Sequence, residues 1–290
     1  MLYNSLVAKS NQTKTTSPVA KLDDGTVQVT LTVPWKTIES ARKKTAIEMG
    51  TEMEVKGFRK GKAPLEKLLE TISPEMLTEK TLSKILPELY VEALQKEKIT
   101  PAMYPKFELV HAHEGEDWQV RAITCVFPEV NLGDYKKTIQ EKSTKKGDKP
   151  PTIEEKESMV IKTLLDTVKI KVPHMLVEEE ANSRLSSLLS RLEKLGLSLE
   201  NYLASAKKDA ATLRSEYEAQ AEDAIKLDFA LSAVANEADI KVEDREVEEY
   251  LKIAGSDNVQ NNAQAQERKE TIRLFLRKRK SLESLTDLVA

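Results

Sequence analysis

Val55-Lys-Gly-Phe-Arg-Lys-Gly-Lys-Ala-Pro64 is a stretch with four cations within seven residues and no acid among them. Gly57 and Gly61 bracket Phe58, and glycine permits a tight backbone with positive φ. The pattern therefore predicts an exposed loop with a basic tip that contains one apolar residue. Such a tip suits binding to a polyanion that also offers an apolar contact, for example an RNA-rich surface.

A phosphate-binding loop and a solvated charged turn are the two alternatives to this binding loop. A phosphate-binding P-loop requires G-x-x-x-x-G-K-[ST], but these glycines are one residue too close, and Ala63 replaces the hydroxyl that binds Mg²⁺. The P-loop interpretation is therefore excluded. A solvated charged turn is the ordinary state of short Lys/Arg runs and stays open at this point.

The segments around the stretch predict an α+β domain. Thr26 to Val33 alternates strictly between apolar residues and Thr or Gln, which indicates a half-buried strand. Pro34, Pro64 and the sequence Ser73-Pro74-Glu75 are typical of helix N-termini. The other predicted elements are helices over Trp35–Val55, Leu65–Glu70 and Ser73 to about Lys98 (disturbed at Pro87), and strands over Lys106–His111 and Gln119–Phe127.

The second half of the chain predicts helices only. Lys142 to Pro151 is polar and rich in Lys, Gly and Pro, which is typical of a linker. Beyond it, apolar residues recur at i, i+3, i+4 and i+7, the period of amphipathic helices. The predicted helices include a leucine stripe that ends at Gly196, a helix from Asn201 to about Ala238, and helices over Val242–Ile253 and Glu267–Leu288.

Composition excludes several classes of protein. The chain has 290 residues, enough for two domains, with a net charge of −3 and a pI near 5.9. This charge excludes a protein that coats nucleic acid, so we expect no DNA partner and only a local RNA contact. One cysteine cannot form an internal disulfide. No apolar segment resembles a signal peptide or a membrane span, so we expect a soluble, cytoplasmic protein without a membrane partner.

The basic stretch resembles the ribosome-docking signature of the trigger factor family, bacterial chaperones that meet nascent chains at the exit tunnel. That signature is Gly-Phe-Arg-x-Gly-Lys-x-Pro, and the matching residues are Gly57, Phe58, Arg59, Gly61, Lys62 and Pro64. Three further segments, Lys96–Ala102, Phe127–Leu132 and Val172–Glu180, are similar to family segments in the same order. The likeness runs from about Val19 to the C-terminus.

The resemblance implies an α+β N-terminal ribosome-binding domain followed by an elongated all-α C-terminal chaperone domain with arm-like helices. The expected division is a disordered tail over residues 1–18, the ribosome-binding domain over 19–135, a linker over 136–152 and the helical domain over 153–290. The expected partners are the ribosomal protein and rRNA at the exit tunnel and unfolded nascent polypeptides, while weak homodimerisation of the free protein stays open.

The resemblance, together with residue chemistry, gives candidate residues for each partner. The expected ribosome-binding residues are Gly57, Phe58, Arg59, Lys60, Gly61, Lys62 and Pro64. The expected client-binding residues are Met49, Met53, Met175, Leu176, Leu185, Leu189 and Leu192, chosen because methionine adapts to varied partners and because the arms arise in this region. For the leucine stripes, ordinary helix packing is the alternative.

Most members of the family carry an FKBP-like prolyl isomerase domain of about 90 residues between these regions. Here only Lys136 to Lys171 separates them, and Lys136 to Asn201 contains no Phe, Tyr or Trp, whereas that isomerase pocket is lined by such aromatics. We therefore expect an ATP-independent chaperone that is not an enzyme and needs no cofactor. The alternatives are a holdase or assembly chaperone that works without the ribosome, and a prolyl isomerase.

Three other features have simple interpretations. His111 and His113 could supply two metal ligands, but the spacing implies no third one, so a strand end is favoured and no metal is expected. Cys125 lies in an apolar strand and is interpreted as a core residue. The basic residues within Arg273–Lys280 predict a solvated helix face, with a second RNA contact as the alternative.

Overall fold

The chain forms two compact units, Met1–Phe127 (unit 1) and Pro128–Ala290 (unit 2), in a computed structural model. The structure describes residues 19–143, 151–254 and 263–289. The predicted disordered tail, residues 1–18, and residues 144–150 of the predicted linker lie outside the described residues.

Unit 1 contains a four-stranded antiparallel sheet with the order β1-β2-β4-β3. The strands are β1 (Val19–Lys21), β2 (Thr26–Val33), β3 (Lys106–His111) and β4 (Trp118–Cys125). The alternation in β2 places its valines and Leu31 in the core, because successive side chains of a strand point to opposite faces. The predictions for β2 and β3 are confirmed at both ends, whereas β4 begins one residue before its predicted range and ends two residues earlier.

Three helices complete unit 1: α1 (Trp35–Glu52), α2 (Leu65–Thr71) and α3 (Pro74–Glu97). The side chain of Asp117, in the turn between β3 and β4, accepts a hydrogen bond of 2.9 Å from the first backbone N–H of α1. The hydroxyl of Ser73 likewise accepts from Met76 N–H and caps α3. The helix predictions are therefore confirmed, and Pro87 lies within α3 without ending it.

The core of unit 1 lies between α3 and one face of the sheet. Three residues one helical period apart on α3, Leu86, Tyr90 and Leu94, pack against valines of β2 and β4. The two tryptophans of the chain, Trp35 and Trp118, lie at the end of this core with ring centroids 6.3 Å apart. Tryptophan fluorescence therefore reports on unit 1 alone.

The described residues of unit 2 are helical apart from a two-stranded ribbon. Its strands are β5 (Val130–Asn131) and β6 (Lys169–Ile170), which pair antiparallel. Its helices are α4 (Tyr135–Ser143), α5 (Ile153–Thr167), α6 (His174–Lys194), α7 (Leu199–Ala206), α8 (Ala210–Glu237), α9 (Asp244–Ile253) and α10 (Ala263–Thr286). The α+β unit followed by an all-α unit confirms the predicted fold class.

Two boundaries in this unit differ from the prediction. Residues 135–143 form helix α4 instead of a linker, because Tyr135 and Ile139 are buried in the same cluster as Val160 and Leu164 of α5. The division between the units therefore falls eight residues before the predicted one. The helix predicted from Asn201 is also interrupted, because Lys207 takes a positive φ and the carboxylate of Asp209 caps a new helix, α8.

The described helices of unit 2 form one core and two helical hairpins. The core contains α4, α5 and the C-terminal parts of α8 and α10. The first hairpin consists of α6, α7 and the N-terminal part of α8, packed through Val177, Ala181 and Ala221. The second consists of α9 and α10, with Val247 and Leu251 buried. These hairpins correspond to the arm-like helices of the prediction.

We predict that Cys125 is chemically inert in the folded protein. Burial raises the pKa of this thiol to about 11, and only the thiolate reacts with thiol reagents. Because an exposed cysteine has a pKa near 8.5, the thiolate fraction at neutral pH should be about three hundredfold lower here. Labelling with a chromogenic disulfide should be slow in buffer and rapid in denaturant. Complete labelling within seconds in buffer would contradict the buried position.

Candidate functional site

The basic loop, residues 55–64, consists of two successive turns of the same type. Phe58 N–H donates to Val55 O over 3.0 Å, and Lys62 N–H donates to Arg59 O over 2.9 Å. Gly57 and Gly61 occupy the third position of their turns with φ of 89° and 75°. This is the type II arrangement, whose third residue needs positive φ and therefore favours glycine. The spacing of the two glycines thus follows from the backbone geometry of the loop.

Both ends of the loop are anchored in a small apolar cluster between α1, α2 and α3. Val55 is buried there, and Ala63 and Leu65 pack against the same cluster from the other end of the loop. A Cβ added to Gly50 would lie 2.5 Å from the Leu68 side chain, so glycine at this position lets α2 approach α1 closely. We call this group, centred on Ala46, Val55, Leu68, Ile72 and Leu77, the anchor cluster.

The tip of the loop is exposed and electrostatically unpaired. Phe58 is 42% exposed and forms one wall of a surface depression of about 430 Å³, with Glu54, Val55, Lys56 and Lys60 as its other lining residues. Among the described residues, no carboxylate lies within ion-pair distance of any cation of the loop (Lys56, Arg59, Lys60, Lys62). The loop therefore offers four uncompensated charges around an aromatic ring.

The second basic segment of the chain is organised differently. Arg273 pairs with Asp244 and Glu270, and Lys278 lies 2.5 Å from Asp228 of α8. The Lys280 ammonium pairs with Glu246 of α9 and lowers the pKa of that carboxyl.

Arg277 donates to the carbonyl oxygens of Ile240 and Ala235. These cations fasten α10 to α8, to α9 and to the segment between them. They are partly buried and paired within unit 2, and so do not form the freely solvated face that the sequence predicted.

The predicted client-binding residues differ in their exposure. Leu189 is exposed on α6, and Leu176 and Leu185 are half-buried. Met49 and Met53 are half-buried because they pack against the anchor cluster. Met175 and Leu192 are buried and present almost no surface to a partner, so they are removed from the client-binding set.

Sequence reasoning missed several exposed apolar residues on the two hairpins. Leu195 is 71% exposed and lies beside Gly196 at the end of α6, and Leu197 follows it. On the second hairpin, Ile253 is 87% exposed, and Leu274 and Phe275 are exposed on α10. A pattern search favours residues that fit the helical period, whereas these lie at helix ends or outside the buried stripe.

The histidine pair His111 and His113, the candidate metal ligands from the sequence, does not form a metal site with the other described residues. His111 Nε2 lies 2.6 Å from a carboxylate oxygen of Glu116, and its ring packs edge-on against His113. Within residues 19–143, 151–254 and 263–289, no cluster of three or more His, Cys, Asp or Glu side chains is arranged to hold a metal ion. No helix in the same ranges is both long and apolar enough to span a membrane.

The architecture, an α+β unit with an exposed basic loop followed by two helical hairpins on a common core, is that of trigger factor chaperones. A solved structure from a study of promiscuous substrate recognition in folding and assembly activities of the trigger factor chaperone has the same fold. It aligns with a TM-score of 0.62 and 16% identity over 94% of this chain and 100% of that one.

Sequence comparison gives the family. The bacterial trigger factor family model matches residues 16–160, and the model of the trigger factor C-terminus matches residues 131–287. The chain therefore belongs to the bacterial trigger factor family. The two matched ranges overlap over residues 131–160, so together they account for residues 16–287 without an unmatched insertion.

Curated relatives match the first part of the chain. The trigger factor of Clostridium perfringens is 32% identical over 116 residues, which is 40% of this chain and 27% of the relative. Those of Clostridium kluyveri (32% over 124 residues) and Lactococcus lactis (31% over 126 residues) each match 43% of this chain. The matched segment spans less than a third of the length of these relatives.

We predict that Gly57→Ala lowers the stability of unit 1 by about 1 kcal/mol, because an L residue at positive φ is strained. No heavy atom lies within 4 Å of the added Cβ, so the strain is purely conformational. Gly115→Ala is a matched control, because Gly115 also has positive φ (86°) and open space around its Cβ. Urea unfolding followed by tryptophan fluorescence should show similar losses for both variants. An unchanged midpoint for Gly57→Ala would contradict the described turn.

Proposed function

We propose that this chain is an ATP-independent chaperone of the cytoplasm that docks on the ribosome and shields emerging nascent chains. The observation that carries the proposal is the basic loop, which holds four unpaired cations and an exposed Phe58 in a fixed double turn. The membership of the family supports the same function. In this proposal the loop is the docking element, and the two hairpins of unit 2 contact the client.

The chemistry of the loop matches a surface of RNA and protein. The Arg59 guanidinium can bind a phosphate or a carboxylate with two hydrogen bonds, whereas Lys60 and Lys62 act as point charges. Phe58 would pack into an apolar niche of the neighbouring ribosomal protein. Because the two turns are fixed by their own hydrogen bonds and by the anchor cluster, little conformational entropy is lost on docking.

The exposed apolar residues of unit 2 suit weak and reversible contact with clients. Leu189, Leu195 and Leu197 lie on the first hairpin, and Ile253 and Phe275 on the second. Unfolded segments expose apolar side chains of many kinds, and scattered apolar positions can bury them without a shared sequence. Contact must stay weak, because a client held at roughly nanomolar affinity would not be released to fold.

The docking proposal predicts that Phe58→Ala, Arg59→Ala and Lys60→Ala together abolish co-sedimentation with bacterial ribosomes. We expect a loss of at least about 2 kcal/mol, since central aromatic and arginine residues dominate interfaces. For the unmodified chain, three to four phosphate contacts give a slope of log affinity against log salt of roughly −2 to −3.

The matched control removes one aromatic ring and two cations elsewhere in unit 1. Tyr104, Lys36 and Lys44 are exposed, and none of them forms an ion pair among the described residues. Their replacement with alanine should leave co-sedimentation unchanged. Equal binding of the loop variant and the control variant would contradict docking through the loop and favour a holdase that works without the ribosome.

We further propose that the chain lacks prolyl isomerase activity. The region in which most family members carry the isomerase domain is occupied here by α4 and α5, whose apolar side chains belong to the helical core. We predict no acceleration of a refolding step limited by proline isomerisation, which without catalyst takes tens to hundreds of seconds. A known prolyl isomerase serves as the positive control. A rate that rises in proportion to chaperone concentration would contradict this proposal.

A further inference from the structure

Strand β3 forms one edge of the sheet in unit 1. In the part of the chain that the structure describes, β3 pairs with β4 on one side only. The outward backbone N–H and C=O groups of an edge strand are a template on which another strand can pair. Soluble proteins usually protect such an edge with charged side chains, with proline or by covering it.

Lys106 places a charge at the start of β3, but the four residues that follow it, Phe107 to Val110, offer little protection by charge. Phe107, Leu109 and Val110 are all partly exposed, and Phe107 packs edge-on against Tyr90 of α3 with ring centroids 5.9 Å apart. The carboxylate of Glu108 lies 3.5 Å from the Arg121 guanidinium of β4, so its charge is compensated within the sheet. The strip from Phe107 to Val110 therefore combines a backbone template with an apolar, electrically neutral surface.

A β-bulge limits the length of this strip. The register passes from Leu109 opposite Val120 to His111 opposite Gln119, so Val110 has no partner residue on β4. Bulges increase the local twist and interrupt continued pairing. An added strand would therefore pair with only a few residues of β3.

The size and charge of the strip decide between two occupants. β3 has six residues and is about 20 Å long, so one added strand would bury only a few hundred Å². Stable dimers bury at least about 1,200 Å², which disfavours a second copy of this chain. A neutral apolar strip likewise favours a partner segment without charge. A short extended segment of an unfolded polypeptide meets both conditions.

We propose that β3 binds an extended apolar segment of an unfolded client by adding it to the sheet as a further strand. Backbone hydrogen bonds supply affinity without sequence preference, and Phe107 and Leu109 supply apolar contact. The inference rests on the proposed chaperone function and assigns client contact to the unit that also carries the basic loop.

The test uses the full chain and no ribosomes. The probe is a short fluorescein-labelled peptide in which Thr alternates with Val and Leu, and binding is measured by fluorescence anisotropy. A second peptide carries N-methyl groups on its central amides, which removes the backbone donors but keeps the side chains. The protein variants are Leu109→Lys, which places a charge on the edge, and Val110→Pro at the bulge, where the ladder with β4 is already interrupted.

The matched control is Leu69→Lys on α2, since Leu69 is 40% exposed and Leu109 is 46% exposed. We expect the affinity for the first peptide to fall at least tenfold in Leu109→Lys and in Val110→Pro, and to stay unchanged in Leu69→Lys. The N-methylated peptide should bind at least tenfold more weakly to the unmodified chain. Tryptophan fluorescence should show that each variant remains folded.

Three outcomes would overturn the proposal. Equal affinity for both peptides would mean apolar contact without strand addition, and full binding by both β3 variants would place the peptide elsewhere. A concentration-dependent dimer that Leu109→Lys dissociates would make a second copy the occupant. The basic-loop variant should bind the peptide normally and Leu109→Lys should still co-sediment with ribosomes, so failure of ribosome docking and failure of strand addition are distinguishable.

Discussion

The contact between Gly50 and Leu68 is the constraint on which the basic loop depends. A Cβ at Gly50 would lie 2.5 Å from the Leu68 side chain, so glycine lets this side chain lie against the backbone of α1 without displacement. This close approach brings the C-terminal end of α1 near the start of α2. The twelve residues between the helices must then reverse direction, which the two glycine turns accomplish. Because Val55 and Leu65 are held in the same anchor cluster, the loop has a fixed base, and its exposed tip can keep a defined shape without a partner.

Charge pairing separates two segments that look alike in composition. In α10, carboxylates and carbonyl oxygens of α8, α9 and the connection between them satisfy Arg273, Arg277, Lys278 and Lys280. In the basic loop the cations have no such partners among the described residues, so their full charge is available to an external anion. Exposed ion pairs contribute little stability individually, but several on one helix can define how α9 lies against α10.

The functions proposed for the two units use different kinds of surface. In the docking proposal, the basic loop binds through charge and one aromatic ring, so its affinity depends on salt. In the client proposal, the hairpins of unit 2 bind through scattered apolar side chains, which suits clients of any sequence. The proposed strand addition at β3 is a third kind of contact, in which backbone groups supply the hydrogen bonds and only a neutral strip of side chains is needed.

The local features of this protein were determined by the sequence itself: strand β2 by its alternation, helix α3 by Ser73 and Pro74, and the basic loop by its paired glycines. These local features follow from backbone preferences that act within a few residues. Because the local features define the elements, the fold class and the position of the loop were predictable from the sequence. Only the tertiary structure decided which side chains are free. Met175 and Leu192 are apolar residues of α6, as Leu189 is, yet they are buried and Leu189 is exposed. Residues 135–143 form α4 instead of a linker, because Tyr135 and Ile139 pack against α5. Arg273 forms an ion pair with Asp244 of another helix. Burial and ion pairing depend on residues that are distant in the chain. Periodicity and composition do not show which of these distant residues come into contact.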